Sequence, residues 1–140
     1  MLLDDLKILL EKAIENLFTK QTDIFSFTSE TGQTEWNLAH HLANEISSLL
    51  PSYDCDLDVT KRNFKNRRPD IIIHKRNTHA HNFTVIEIKK DGSMAQLDYD
   101  IDKIKDDWFS HPLSYRFGAV INLGSSGTGQ VQVFQNGSNI

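Results

Sequence analysis

The sequence predicts an α/β sandwich around a mixed sheet, and three features predict it. Two amphipathic helical stretches come first, a series of short β-branched runs begins near Tyr53, and a third helical stripe interrupts those runs. In order the elements read α, α, β, β, β, α, β, β, without internal repeat or linker. The 140 residues are therefore expected to form one domain, residues 1–140, around one core.

The first helix is expected from Leu2 to about Phe18, where Leu2, Leu6, Leu9, Leu10, Ala13, Ile14 and Leu17 recur at steps of three and four. Thr19 to Thr34 is rich in Thr, Ser and Gln and reads as a connection with a short ordered piece at Ile24 to Phe27. The second helix should run from about Glu35 to Leu50. Leu38, Ala39, Leu42, Ala43, Ile46, Leu49 and Leu50 form its stripe, Thr34 is placed to cap its start, and Pro51 closes it.

After Pro51 the period changes to two. Tyr53, Cys55, Leu57 and Val59 alternate with Asp54, Asp56, Asp58 and Thr60, as a half-buried strand requires. A basic loop leads to Asp70-Ile71-Ile72-Ile73-His74, and a polar break at Asn77 to His81 leads to Phe83 through Lys89. These runs suit neighbouring strands at the sheet's centre, the unbroken Ile run being buried on both faces. Leu97, Ile101, Ile104 and Trp108 step by four, three and four, so a third helix is expected from about Ala95 to Phe109, stopped before Pro112. Tyr115 to Leu123 and Gln130 to Phe134 complete the sheet, joined by a hairpin loop at Gly124 to Gly129.

Composition narrows the class. Hydrophobic residues make up 39% and charged residues 24%, the usage of a globular chain that folds in water rather than of a disordered or membrane one. No apolar run approaches the roughly 18 residues a membrane span needs. The start lacks the basic, apolar and small-residue succession of an export signal. Cys55 is the only cysteine, which excludes an internal disulfide and a cysteine zinc site. A cytoplasmic protein without membrane contact is expected. The net charge of −4 argues against indiscriminate adhesion to nucleic acid, yet the charge is uneven. Lys61, Arg62, Lys65, Arg67, Arg68, Lys75 and Arg76 cluster around Asp70, the only acid among them. A basic run is commonly a solvated loop; beside Asp70 it also suits a phosphate backbone.

Asp70 and Glu87 carry the chemistry. A carboxylate at or inside an apolar strand is costly unless its charge is paired or bound to a metal. By strand alternation Glu87 shares a face with Val85 and Lys89, and Asp70 lies across from Glu87 if the two strands are adjacent and antiparallel. Two carboxylates and an ammonium on one patch suit metal-assisted hydrolysis: hard oxygen ligands and waters take Mg²⁺ or Mn²⁺. Lys89 would orient the attacking water and stabilise charge on the phosphate oxygens. The plainer reading is a salt bridge between Lys89 and one carboxylate. Pro69 before Asp70, the neighbouring Arg67 and Arg68, and Glu35 count against it. Glu35 lies on the second helix's core-facing stripe with Ala39, Leu42 and Ile46, where a carboxylate needs a partner, although a first-turn acid also satisfies the helix dipole.

Pro69-Asp70, sixteen intervening residues, and Glu87-Ile88-Lys89 together resemble the PD-(D/E)xK nuclease superfamily. Glu35, on a helix before the first strand, matches that family's upstream acidic position, and the similarity spans roughly Glu35 to Phe134. The resemblance implies a restriction-endonuclease-like three-layer α/β/α sandwich with a central mixed sheet of about five strands. It implies metal held by Asp70, Glu87 and the Ile88 backbone carbonyl, Lys89 positioning the attacking water, and Glu35 acting on the metal through water. On the third helix Gln96, Asp98, Asp102 and Lys103 are residue types that some members place near the site.

His40, His41, His74, His79, His81 and His111 show no zinc-ligand spacing and read mostly as surface residues. Gly124 to Gly129 lacks the Lys-Ser/Thr ending of a phosphate-cradling loop. The expected function is metal-dependent hydrolysis of phosphodiester bonds in nucleic acid, with DNA favoured over RNA by the resemblance and endonuclease action favoured. Lys61 to Arg76 would guide the backbone, and a homodimer would let one small domain address both strands of a duplex. Two other readings stand beside it. One is an inactive nuclease-fold module that binds nucleic acid or a protein. The other is a structural α/β domain whose acids form buried ion pairs.

Overall fold

The computed structural model describes residues 1–27, 34–57, 69–78 and 80–137. Among the described residues five strands form one mixed sheet in sequential order: β1 (Asp54–Leu57), β2 (Ile71–His74), β3 (Thr84–Lys90), β4 (Phe117–Gly124) and β5 (Thr128–Gln135). Only β3 and β4 run parallel; β1 with β2, β2 with β3, and β4 with β5 are antiparallel. The reason is connection length. A tight turn joins the antiparallel β4 and β5, whereas the parallel pair needs the crossover supplied by α4 (Met94–Lys103) and the π-helical turn that continues it, Ile104–Trp108.

One face of the sheet is covered by α1 (Leu3–Lys20), α2 (Ile24–Phe27) and α3 (Thr34–Leu49). The stripes read from the sequence bury there: Leu6, Leu10, Ala13, Ile14 and Leu17 from α1, and Leu38, Ala39, Leu42, Ala43 and Ile46 from α3, against Ile71, Ile73, Ile86, Ile88 and the inward residues of β4. The other face packs Ile72, Val85 and Val120 against Leu97, Ile104, Trp108 and Tyr115. Helices thus cover both faces, and the central strands are apolar on each, as Ile71, Ile72 and Ile73 show by being fully buried.

The expected elements all occur, with their ends shifted by a few residues. The Gly124 to Gly129 segment is a tight hairpin turn, and Ile24–Phe27 is one turn of helix. Two local expectations need correction. Tyr53 precedes β1 and stacks on Phe83, with ring centroids 4.7 Å apart. The third helix is not uniformly α-helical but changes to π geometry from Ile104 to Trp108. Its close approach to β4 is made possible by Gly118, where a Cβ would come within 2.5 Å of Ile104 Cγ2. Asp58 to Arg68, which includes the end expected for the first strand, lies outside the described residues.

Candidate active site

The register of the two central strands builds the site. Ile71 pairs with Ile86, Ile72 with Val85 and Ile73 with Thr84. Continued by one residue, that register sets Asp70 opposite Glu87, as the sequence reading required. Pro69 fixes its own φ at about −65° as the chain enters β2. Asp70 Oδ2 then accepts a 2.6 Å hydrogen bond from the Ile88 N–H. Since N–H and C=O of one strand residue point to the same edge, the Ile88 carbonyl also faces the Asp70 side of β3.

Glu87 is only 3% exposed. Its carboxyl is pushed up to about 8, first by burial and then by the neighbouring Asp70 carboxylate; Lys103 opposes the shift and Asp100 adds to it. Lys103 Nζ lies 3.1 Å from Glu87 Oε1, at an angle that leaves Oε1 without an aligned hydrogen bond. Lys89 Nζ lies 3.7 Å from Asp100 Oδ2, and Lys103 Nζ is 3.9 Å from Asp100 Oδ1. Among the described residues three carboxylates and two ammonium groups therefore share one patch under α4, where the sequence reading placed two and one.

Asp100 is the residue that the sequence reading missed, and it left a signal. It falls three residues after Leu97 and four before Ile104, on the buried stripe of α4, and it is 1% exposed. The same argument that singled out Glu35, an acid on a core-facing helical position, applies to it.

The turn between β3 and α4 fixes the lysine stem. Asp91 adopts φ +49°, donates its N–H to Leu123 O and accepts from Ser125 N–H at Oδ1. The Asn122 side chain clasps Gly92, accepting its N–H at 2.8 Å and donating to its carbonyl at 3.2 Å. A Cβ at Gly92 would stand 2.8 Å from Lys89 Cβ, so the glycine is what lets the turn close against that side chain. Ser93 then caps α4 reciprocally with Gln96.

The described residues place the other expected site residues only in part. Glu35 lies in the first turn of α3, the helix on the other face of the sheet, and its side chain is outside the described residues. Lys61, Arg62, Lys65, Arg67 and Arg68 are outside them as well. Lys75 and Arg76 follow the far end of β2, about 15–20 Å from Asp70 at the usual strand rise. Lys75 sits over the Tyr53 ring. Arg76 grips Asp56 through Nε at 2.9 Å and Nη2 at 2.5 Å. These two are therefore not beside Asp70, because a strand carries its ends apart. Of the α4 residues, Gln96 serves the cap, Asp98 and Asp102 face solvent, and Lys103 alone reaches the carboxylates.

The histidines divide. His40, His81 and His111 are exposed and His41 is half-buried, while His79 lies outside the described residues. His74 is the exception to the surface reading: it is buried on β2, with Nε2 2.6 Å from Asp56 Oδ2. The arginine and histidine around Asp56 hold its carboxyl down to about 2, the Arg76 hydrogen bonds being the largest cause. A cleft of about 340 Å³ is also at this end, lined by Tyr53, His81, Asn82, Phe83 and Arg116 among others, away from Glu87 along β3.

Among the described residues no three His, Cys, Asp or Glu side chains stand close enough to form a metal cage. Two carboxylates with a backbone carbonyl still fit the habits of Mg²⁺, which keeps several waters and binds through one or two carboxylates. The poorly satisfied, buried Oε1 of Glu87 and the repulsion between Glu87 and Asp70 are what a divalent cation would relieve. No helix among the described residues is long and apolar enough to cross a membrane. Compared with protein-family models, curated proteins and solved structures, the chain finds no match among any of the three.

Proposed function

We propose that this chain is a metal-dependent nuclease of restriction-endonuclease-like arrangement that hydrolyses phosphodiester bonds in nucleic acid, as a DNA endonuclease. The observation that carries the reading is the β2–β3 register, which sets Asp70 opposite Glu87 on the face that Lys89 shares. A purely structural α/β domain has no need to set a half-buried carboxylate beside a buried one, since the arrangement costs stability.

Asp70, Glu87 and the Ile88 carbonyl would hold Mg²⁺, or Mn²⁺ in its place. When bound, the cation supplies Lewis acidity toward a phosphate oxygen and lowers the pKa of a water. The chain's own residues do the rest. Ile88 N–H fixes the Asp70 carboxylate. Lys89, held near the sheet by Asp100, orients the nucleophilic water and stabilises charge growing on the phosphate. Among the described residues the three acids and two lysines, fully ionised, sum to −1, and a divalent cation would bring that sum to +1, the complement of one phosphodiester.

The deciding experiment incubates the purified chain and its Lys89→Ala and Asp70→Asn variants with supercoiled plasmid, linear duplex, single-stranded DNA and RNA, each with Mg²⁺, Mn²⁺ or EDTA. Cleavage that requires the metal and is lost in both variants establishes the activity. A folded protein that cuts none of these substrates favours the binding-module reading or a missing partner, and full cleavage by either variant overturns the site.

A further inference from the structure

Next to Lys89 the surface opens into a cleft of about 230 Å³, lined by Lys89, Ala95, Gln96 and Tyr99. Tyr99 is 64% exposed, although burial is the usual fate of an aromatic on an amphipathic helix. Lys103, one turn further along α4, places its ammonium 5.9 Å from the centroid of that ring and also contacts Glu87. Ala95 and Gln96, one turn earlier, border the cleft from the other side. A solvent-facing aromatic is thus joined to the carboxylate pair by a single lysine and to Lys89 by a shared cavity. Trp36 is similarly exposed, but its ring already stacks against His40, with centroids 6.4 Å apart.

We propose that Tyr99 is a stacking platform for one unpaired nucleobase, and that the cleft between Tyr99 and Lys89 receives the nucleotide adjoining the phosphate to be cut. The inference rests on the nuclease reading and adds its substrate class: a strand with at least one unstacked base at the scissile position. Three features favour this occupant. The cleft is smaller than the roughly 300–1,000 Å³ of sites for drug-sized ligands and fits one flat group. Its walls pair an apolar ring face with an ammonium, the two partners a nucleotide offers surfaces to in its base and phosphate. In a duplex each base face is covered by its neighbours, so stacking on Tyr99 selects single strands, frayed ends or flipped nucleotides. DNA and RNA share this chemistry.

The test measures binding by fluorescence anisotropy in an Asp70→Asn background, so that nothing is cut, with Ca²⁺ present. Labelled single-stranded DNA, single-stranded RNA and blunt duplex DNA are compared for the parent and for Tyr99→Ala and Tyr99→Phe. Removing a stacking ring is expected to weaken single-strand binding by about fivefold to more than a hundredfold. Duplex affinity should stay within twofold, and Tyr99→Phe should bind like the parent. Because Tyr99 is exposed, neither change disturbs the core, which circular dichroism verifies. A Tyr99→Ala variant that binds single strands as well as the parent, or that loses single strand and duplex equally, overturns the platform alone. A parent that binds duplex only also overturns the platform and leaves the nuclease reading standing. A parent that binds no nucleic acid overturns both.

Discussion

Lys103 Nζ lies 3.1 Å from Glu87 Oε1, so the buried carboxylate of the central strand takes a counter-charge from α4. Breaking a largely desolvated pair strands the remaining charge, at a cost of about 3–5 kcal/mol where that charge has no escape. Glu87 has an escape, because it can take a proton. Lys103→Met should therefore destabilise the protein by about 1–3 kcal/mol at pH 9 and by distinctly less at pH 6. Urea denaturation at the two pH values checks this, and equal losses at both would refute the pairing.

Glu87 also makes stability depend on pH in its own right. Its folded pKa, about 8, lies above the ordinary 4.5, so between these values the folded state binds more protons than the unfolded. Stability from this group is fully present below about pH 4.5 and declines as pH rises toward 8. Glu87→Gln should flatten that decline and be more stable than the parent at pH 8, by a few kcal/mol at most. Thermal melts of both proteins from pH 5 to 9 provide the comparison, and parallel curves would contradict it. Adding Mn²⁺ at pH 8 should raise the parent's melting temperature and leave that of Glu87→Gln almost unchanged.

Asp56 shows the opposite sign. Arg76 and His74 hold its carboxyl down to about 2 from an ordinary 3.8. Its contribution is present above pH 3.8 and fades as pH falls through 2. Allowing for solvent screening of the exposed Arg76, Asp56→Asn should cost about 1 kcal/mol at pH 7. The difference from the parent should vanish in melts near pH 2. Since this cluster sits at the far end of β2, the substitution should leave cleavage unchanged.

Cleavage should respond to Lys89 and Asp70 without loss of the fold. Losing one preorganised charge of this kind lowers kcat about 100- to 1,000-fold. Lys89→Ala and Asp70→Asn are each expected to fall at least that far in single-turnover cleavage, with far-ultraviolet circular dichroism unchanged. A loss confined to KM would reassign Lys89 to substrate binding.

Gly118 tests the packing behind the site. A Cβ there would meet Ile104 Cγ2 at 2.5 Å and the Phe109 ring at 3.3 Å, in a region with no free end to yield. Gly118→Ala should cost about 1–3 kcal/mol by overpacking. By moving the π-helical turn it should also displace Lys103 and lower activity. Unchanged stability would mean that the turn accommodates the methyl group.

Much of this protein is written locally. The stripes of α1, α3 and α4 follow from apolar residues at helical spacing, and the Ile71–Ile73 run declares a strand buried on both faces. Asp70 and Glu87 declare themselves by being charged residues at the start of one apolar strand and inside another, where solvation physics demands a partner. The identity of that partner is not local. That Lys89 faces Asp100, that Lys103 takes Glu87, and that Lys75 and Arg76 end far from Asp70 depend on how α4 lies over the sheet and on which end of β2 each residue occupies. Period and propensity are properties of neighbours in the chain, so the sequence by itself determined the elements, the central strands and the carboxylate pair. Charge pairing is a property of neighbours in space, and only the tertiary structure decided it.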